Sequence, residues 1–369
     1  FIGSRNYIMK RILHIFEHLN NAGTETVILN FYKNIDRNKI QFDFCVYNDG
    51  TIENKFKDMG AQIYKIKTTK KFEFYFKLFN LLKEKKYDTV HIHMCDMMYV
   101  SVLAAKINRV KNIIVHAHCA GSNKEKLKKL KRKILDFCIF SQATNYFACS
   151  QAAAEYLFPI NNKKNRIIYN GIDVNKFRYN ERIRFEKRKE FGFKEDDNII
   201  INVGRLEMIK NQQKIIDIAK IDKNEKNKYI IVGDGTLKSQ ILLQIKELGL
   251  DNKVILLENR DDISELLCMS DLFLFTSIYE GLGIVLIESQ ASGLKILASE
   301  GVPDEADLKT NLLFLKDLKE KEDVWLNKIN ELLDIKIDRV SCNDKIKNGN
   351  YNILNTAKEL EKFYLMEEN

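Results

Sequence analysis

The sequence predicts an α/β protein of two doubly wound, Rossmann-like domains facing each other across a cleft. Three observations carry that reading. Short β-rich runs alternate with longer helical patterns from Arg11 to Ser299, which implies parallel strands joined by crossover helices. A densely charged run at 174–197, VNKFRYNERIRFEKRKEFGFKEDD, interrupts the alternation, which then restarts. The 369 residues, 45% of them hydrophobic, suffice for two packed cores. The first domain is drawn at 9–180 and the second at 181–350, with 351–369 a C-terminal helix packing back on the first. The eight residues before Met9, Gly3-Ser4 among them, are read as lying outside the fold.

In the first half, RILHIF (11–16) is a strand, and the turn NNAGTE leads into a helix from Thr26 to about Asn34. Further strands are QFDFCVY (41–47), QIYKI (62–66), TVHIH (89–93), NIIVHAH (112–118) and YFACS (146–150), with helical stretches between most of them. NRIIYNGID (165–173) closes this half. In the second half, NIIINVGR (198–205) is a strand and NQQKIIDIAK (211–220) a helix. KYIIVGDG (228–235) is a strand ending in a Gly-Asp-Gly turn, followed by a helix from Leu237 to Leu248. KVILLE (253–258) and the fully apolar DLFLFTS (271–277) are strands either side of the short helix ISELLCMS (263–270). A helix entered at Gly281 stops at Gly293, a suitable C-terminal cap. LKILAS (294–299) is the last strand, and NILNTAKELEKFYLM (352–366) an amphipathic helix.

Composition excludes several classes. No run of 18 or more apolar residues exists, so no transmembrane helix is expected. Seven cysteines without a CxxC pair read as reduced thiols in a cytoplasmic protein. The net charge of +9 bunches in Lys124–Lys133, where Leu127, Leu130, Ile134 and Leu135 fall at helical spacing. Such a basic amphipathic helix suits an anionic membrane surface, and equally a solvated lysine-rich face. A nucleic-acid partner is not expected: DEAD at 304–307 comes without a GxxxxGK[ST] loop.

Ligands of doubly wound sheets bind beyond the carboxyl ends of the strands, and five such exits carry chemistry. In EGLGIVLIE, Gly281 and Gly283 leave backbone N–H groups bare at a helix start, which attracts anions. Glu280 could cap that start, but Glu288 is a carboxylate in an otherwise apolar helix. Their spacing, about 12 Å if fully helical, suits two ends of one extended ligand with an anionic middle. At Gly204-Arg205, Arg205 and Lys210 are cations that could converge on phosphate, or merely two exposed basic residues. Gly233 begins the Gly-Asp-Gly turn, and Gly23 opens a helix without a GxGxxG pattern. All six histidines lie in the first 118 residues, with His91/His93 and His116/His118 as i,i+2 pairs sharing strand faces near Asp96. They read as one functional histidine among polar strand-end residues, in preference to a zinc or iron site. No DxD occurs, so no metal–diphosphate motif is present.

These residues together resemble the retaining glycosyltransferases of family 4, on the two-domain architecture called GT-B. EGLGIVLIE resembles the family's E-x7-E signature and GRLEMIKN its G-R-L-x-x-x-K-N segment. AGTETVILNFY, FACS, YNGIDVNKF and VGDG follow in the family's order, from Lys10 to about Glu305. RNKIQFDFCVYN and GVPDEADL are most similar to the capsule and exopolysaccharide subgroup. The resemblance implies a nucleotide-sugar donor, a UDP-sugar by expectation, lying across the second domain. Glu288 would bind ribose hydroxyls and Glu280 the transferred sugar. Gly281, Leu282 and Gly283 would meet the diphosphate, Arg205 and Lys210 would neutralise it, and Gly204 and Gly233 would line it. Asn259 and Arg260 follow a strand where the family meets the base. His118 matches the histidine near the sugar, His116 less well, and Gly23 the glycine loop, where Ala22 stands in place of a common second glycine. The implied function is a metal-independent hexosyltransferase, without cofactor, acting on a lipid-linked or growing saccharide at the inner face of the cell membrane. The rivals are a UDP-sugar epimerase of the same architecture, a non-catalytic sugar-binding subunit, and a metalloenzyme built on the HxH pairs.

Overall fold

The computed structural model describes residues 9–20, 23–93, 96–118, 141–158, 165–258 and 260–366. They fall into two compact units, 1–171 with 353–369, and 172–352. The chain passes between units at 171/172, nine positions before the boundary drawn from sequence, because the isolated bridge between Ile172 and Asn352 already belongs to the second unit.

The first unit runs β1 (Lys10–Phe16), α1 (Gly23–Asn34), β2 (Ile40–Val46), α2 (Glu53–Lys57), β3 (Ile63–Lys65), α3 (Lys71–Lys85), β4 (Thr89–His93), α4 (Met98–Ile107), β5 (Asn112–Ala117), β6 (Asn145–Ala148), α5 (Gln151–Leu157) and β7 (Asn165–Ile167). All strand pairs are parallel, in the order β3-β2-β1-β4-β5-β6-β7. Crossover helices cover both faces of such a sheet, so its central strands are buried nearly throughout. On one face Leu13, Ile15, Val90 and Ile92 pack with Phe74, Leu78 and Leu82 of α3 and Val102 of α4. On the other, Ile12, Phe42 and Phe44 pack with Phe31 and Tyr32 of α1.

The second unit runs α6 (Glu181–Glu190), β8 (Asn198–Val203), α7 (Gln212–Ile221), β9 (Asn227–Val232), α8 (Lys238–Glu247), β10 (Val254–Leu257), α9 (Ile263–Met269), β11 (Leu272–Phe275), α10 (Ile284–Ala291), β12 (Lys295–Ser299), β13 (Leu313–Lys316), α11 (Glu322–Asp334) and α12 (Arg339–Lys347). Its six parallel strands are ordered β10-β9-β8-β11-β12-β13. The charged run read as a join contains the helix α6: Arg184 and Arg188 both pair with Asp271, and Arg188 also bonds the carbonyls of Lys194, Glu195 and Asp197. The sequence reading passes over β13, α11 and α12. Trp325 of α11 is completely buried against Ile215, Leu274 and Leu297. The final helix, α13 (Ile353–Leu365), returns to the first unit, where Ala357, Leu360 and Tyr364 join the α1 face and the Glu361 carboxylate accepts from the Asp36 N–H at 2.9 Å.

Candidate active site

In the second unit the strand order reverses between β8 and β11, with β9 and β10 on one side and β12 and β13 on the other. Loops leaving the two strands at such a point part, and a ligand can enter between them. Lys210 ends the 3-10 turn Met208–Lys210 after β8, and Glu280 follows β11. The Lys210 ammonium donates to the Glu280 carboxylate across the switch point, their side chains only 17% and 15% exposed. Lys210 Nζ also sits 5.8 Å from the centre of the Phe275 ring. Three bonds hold the exits in register: Ile278 N to Ile209 O at 2.8 Å, Thr276 Oγ1 to Asn211 O at 2.8 Å, and Glu280 N to Gly301 O at 3.1 Å.

The glycines are required by close approach. Gly204 lies against the Lys210 stem, and a Cβ on Gly233 would come within 1.9 Å of the Gly204 carbonyl oxygen. Any other residue at 233 would therefore push the β8 and β9 exits apart. Arg205, by contrast, is not drawn into the cluster: its side chain is 69% exposed and pairs with Glu207 at 2.9 Å. Lys210 and Glu280 are thus brought together and Arg205 stands aside.

The helix carrying the second carboxylate begins later than the sequence suggests. Gly281 and the buried Leu282 lie before it, and α10 starts at Ile284 behind Gly283, whose φ of 73° suits glycine. No side chain caps its first turn. Glu280 is therefore not a helix cap; its N–H and carboxylate are committed to Gly301 and Lys210. Glu288 lies in the fifth position of α10 and keeps only partial solvent access. Among the described residues its carboxyl makes no ion pair or side-chain hydrogen bond, and burial, opposed by the charge of Lys176, pushes its pKa up to about 7. Arg260 follows β10 but belongs to another cluster: it grips Asp262 through two bonds, beside Lys187, which pairs with the same carboxylate at 2.6 Å. Burial opposes ionisation of Asp262, yet the bonds from Arg260 and Lys187 hold it down at about 2. Asn259 lies outside the described residues.

In the first unit Gly23 opens α1, with nothing within 4 Å of where a Cβ would stand; Ala22 lies outside the described residues. His118, just past β5, is one end of a buried imidazole ladder. His93 Nδ1 meets His118 Nε2 at 2.7 Å, and His93 Nε2 meets His14 Nδ1 at 3.0 Å. A parallel branch joins His91 Nε2 to His116 Nδ1 at 3.0 Å, and His91 Nδ1 to the Tyr364 hydroxyl of α13 at 2.5 Å. The registers His14↔His91 and His93↔His116 stack these rings across three strands. Nitrogens of His14, His91 and His93, and of His93, His116 and His118, lie within 4.8 Å of one another. That is the spacing a transition metal needs, but ring-to-ring bonds already engage one nitrogen or more of every member. The i,i+2 spacing pointed to His91, His93, His116 and His118; His14 and Tyr364 were missed, since only strand order and helix return bring them in.

Residues 22–176 match the sequence family described as "Glycosyltransferase Family 4", and residues 183–349 the one described as "Glycosyl transferases group 1". The chain is 28% identical over 375 residues to the capsular polysaccharide biosynthesis glycosyltransferase CapH of Staphylococcus aureus, covering 97% of this chain and 99% of that one. It is 28% identical over 308 residues, 78% of each chain, to the UDP-Gal:alpha-D-GlcNAc-diphosphoundecaprenol alpha-1,3-galactosyltransferase of Escherichia coli. The crystal structure of Anabaena HepE in complex with UDP has the same fold, with a TM-score of 0.79 over 96% of this chain and 99% of that one, at 19% identity.

Two outcomes follow from the burial of these groups. Burial lowers the pKa of His14 and His118 to about 3, below the ordinary 6.5, so the unfolded chain takes up protons first. Stability of the first unit is present above pH 6.5 and is lost as pH falls from there toward 3, by about 1.4 kcal/mol per pH unit for each titrating imidazole. Hydrogen-exchange protection of the β4 amides that stays level from pH 7 to pH 5 would contradict this. Glu288 has the opposite sign: its raised pKa costs stability as pH rises from 4.5 through 7. Glu288→Gln is expected to stabilise the free protein at pH 8 by about 1–2 kcal/mol, seen as a higher urea midpoint.

Proposed function

We propose, for a chain that belongs to the glycosyltransferases of family 4 and group 1, with two GT-B-type domains, that it transfers a hexose from a UDP-sugar to a lipid-linked or growing saccharide with retention of configuration and without a metal ion. The observation that carries the donor site is Glu288, half-buried and without a partner among the described residues, eight positions along the chain from the Lys210–Glu280 pair. An isolated buried carboxyl is costly unless something completes it. Ribose hydroxyls are neutral donors that can do so, whereas phosphate oxygens would repel it. The anionic middle of the same ligand has its counterpart four residues earlier, about 6 Å along α10, at an uncapped helix start next to Glu280, the partner of Lys210. The UDP bound to HepE and the UDP-Gal donor and diphosphoundecaprenol-linked acceptor of the Escherichia coli relative support this choice of substrates.

In the proposed reaction Lys210 turns from Glu280 to the diphosphate, and Arg205, held only by an exposed pair with Glu207, swings to join it. The two cations and the N–H groups of α10 stabilise the charge on the leaving diphosphate, work that a divalent metal does elsewhere. Glu280, released from Lys210, accepts hydrogen bonds from the transferred hexose. The acceptor hydroxyl attacks the anomeric carbon on the face the diphosphate leaves. The departing diphosphate oxygen takes its proton as the anomeric C–O bond to it breaks, and attack on that face of an α-configured donor gives an α-linkage. Lipid-linked acceptors bring the enzyme to the inner membrane face, with Lys124–Lys133, which lie outside the described residues, as one basic contact. No helix among the described residues is long and apolar enough to span a membrane.

Thermal-shift titration with UDP-sugars, followed by transfer assays with an undecaprenyl-diphosphate saccharide, tests this. Lys210→Ala is expected to lower kcat/KM about 10²–10³-fold, and Glu288→Gln to weaken UDP at least tenfold while leaving the fold intact. UDP affinity in the native protein should rise between pH 6 and pH 8 as Glu288 ionises. Transfer should persist in EDTA; loss there, or unaltered UDP binding by Glu288→Gln, overturns the site as proposed. Epimerised nucleotide sugar formed without acceptor would favour the epimerase.

A further inference from the structure

The first unit exposes an aromatic wedge that the donor-site chemistry does not use. On α3, Phe72 is 75% and Phe76 46% exposed. Their rings meet edge to face with centroids 4.6 Å apart, and Tyr75 braces Phe76 from 5.1 Å. The same helix is anchored by Phe74, Leu78 and Leu82, which are buried, so the exposed pair is the opposite stripe and not a frayed core. α4 ends beside it, the Asn108 amide donating to the Phe79 carbonyl at 3.2 Å, and adds Ile107, 52% exposed.

The rim of this wedge is cationic. Residues 70–86 hold six lysines against two glutamates. Lys77 and Lys85 pair with Glu73 and Glu84, which leaves Lys70, Lys71, Lys83 and Lys86 without an acidic partner among the described residues. Lysine stems lie along apolar surface while their ammonium groups reach outward. Adjacent exposed aromatics between uncompensated cations match the boundary of an anionic bilayer, where rings enter the acyl edge and ammonium groups meet phosphate. A second copy of the chain would bring lysines against lysines and be repelled.

We infer that α3, with the end of α4, is a contact surface for anionic phospholipid, in which Phe72 and Phe76 insert and the flanking lysines bind headgroup phosphates. The inference does not depend on the donor-site assignment. It would set the first unit on the bilayer that carries a polyprenyl-linked acceptor.

Sedimentation of the purified full chain with sucrose-loaded vesicles, phosphatidylcholine alone or with one third phosphatidylglycerol, tests it without any sugar substrate. The native protein is expected to bind the phosphatidylglycerol vesicles, and binding should fall in high salt. Phe72→Ser/Phe76→Ser should reduce binding about tenfold or more, with circular dichroism and UDP thermal shift unchanged, which keeps a failed donor site distinguishable from a failed membrane surface. Phe72→Trp supplies a local probe, since the single native tryptophan, Trp325, is fully buried: its emission should shift to the blue with phosphatidylglycerol vesicles. Binding of the double serine variant equal to native, no emission shift, or no native binding at low salt overturns the inference. So does a native dimer in light scattering that the serine pair dissociates.

Discussion

The Lys210–Glu280 ion pair joins the two strand exits on either side of the β8/β11 switch point, and the candidate site is arranged around it. Each partner comes from a short irregular segment that alone would have no fixed course. Together with the Ile278–Ile209 and Thr276–Asn211 bonds, the pair gives both segments one geometry before any ligand arrives. It also pairs two charges either of which would be costly to bury alone. In the proposed donor complex a diphosphate would replace Glu280 as the partner of Lys210 and free its carboxylate for sugar hydroxyls, so one contact would link recognition of the anionic and the alcoholic parts of the donor.

The two carboxylates of the signature segment do different physical work. Glu280 is balanced in the free protein, whereas Glu288 has no partner among the described residues and lies in surroundings that favour its neutral form. The sheet positions Glu280 through backbone constraints beyond the segment itself. Gly233 lets the β9 exit touch Gly204, and Gly204 lies against the Lys210 stem. A chain of close approaches therefore runs from the β9 turn to the ion pair.

Much of this was legible in the sequence, because parallel strands buried on both faces announce themselves as apolar runs, and NIIINV, KYIIV and DLFLF are such runs. Glycines at strand exits and a carboxylate inside an apolar helix are likewise local signals. What stayed hidden depends on distance in the chain. The partners of Glu280, which starts no helix, are Lys210 and Gly301, seventy and twenty-one residues away in sequence. The exposure of Arg205 could not be told from its motif, which is equally compatible with a bound or a free guanidinium. The imidazole ladder required the strand order 2-1-4-5, which sets His14 against His91 and His93 against His116. β13, α11 and α12 were passed over where weakly apolar segments follow one another without glycine or proline punctuation.

The return of α13 to the first unit makes that unit discontinuous while the second, 172–352, is one uninterrupted stretch. During synthesis the later-made unit is therefore complete first, and the earlier one waits for Tyr364 to close over His91 and for Leu360 to cover the α1 face. The helix that seals the first unit is made only after the whole second unit, so a chain cut short before Ile353 would leave a finished second unit tethered to an unsealed partner.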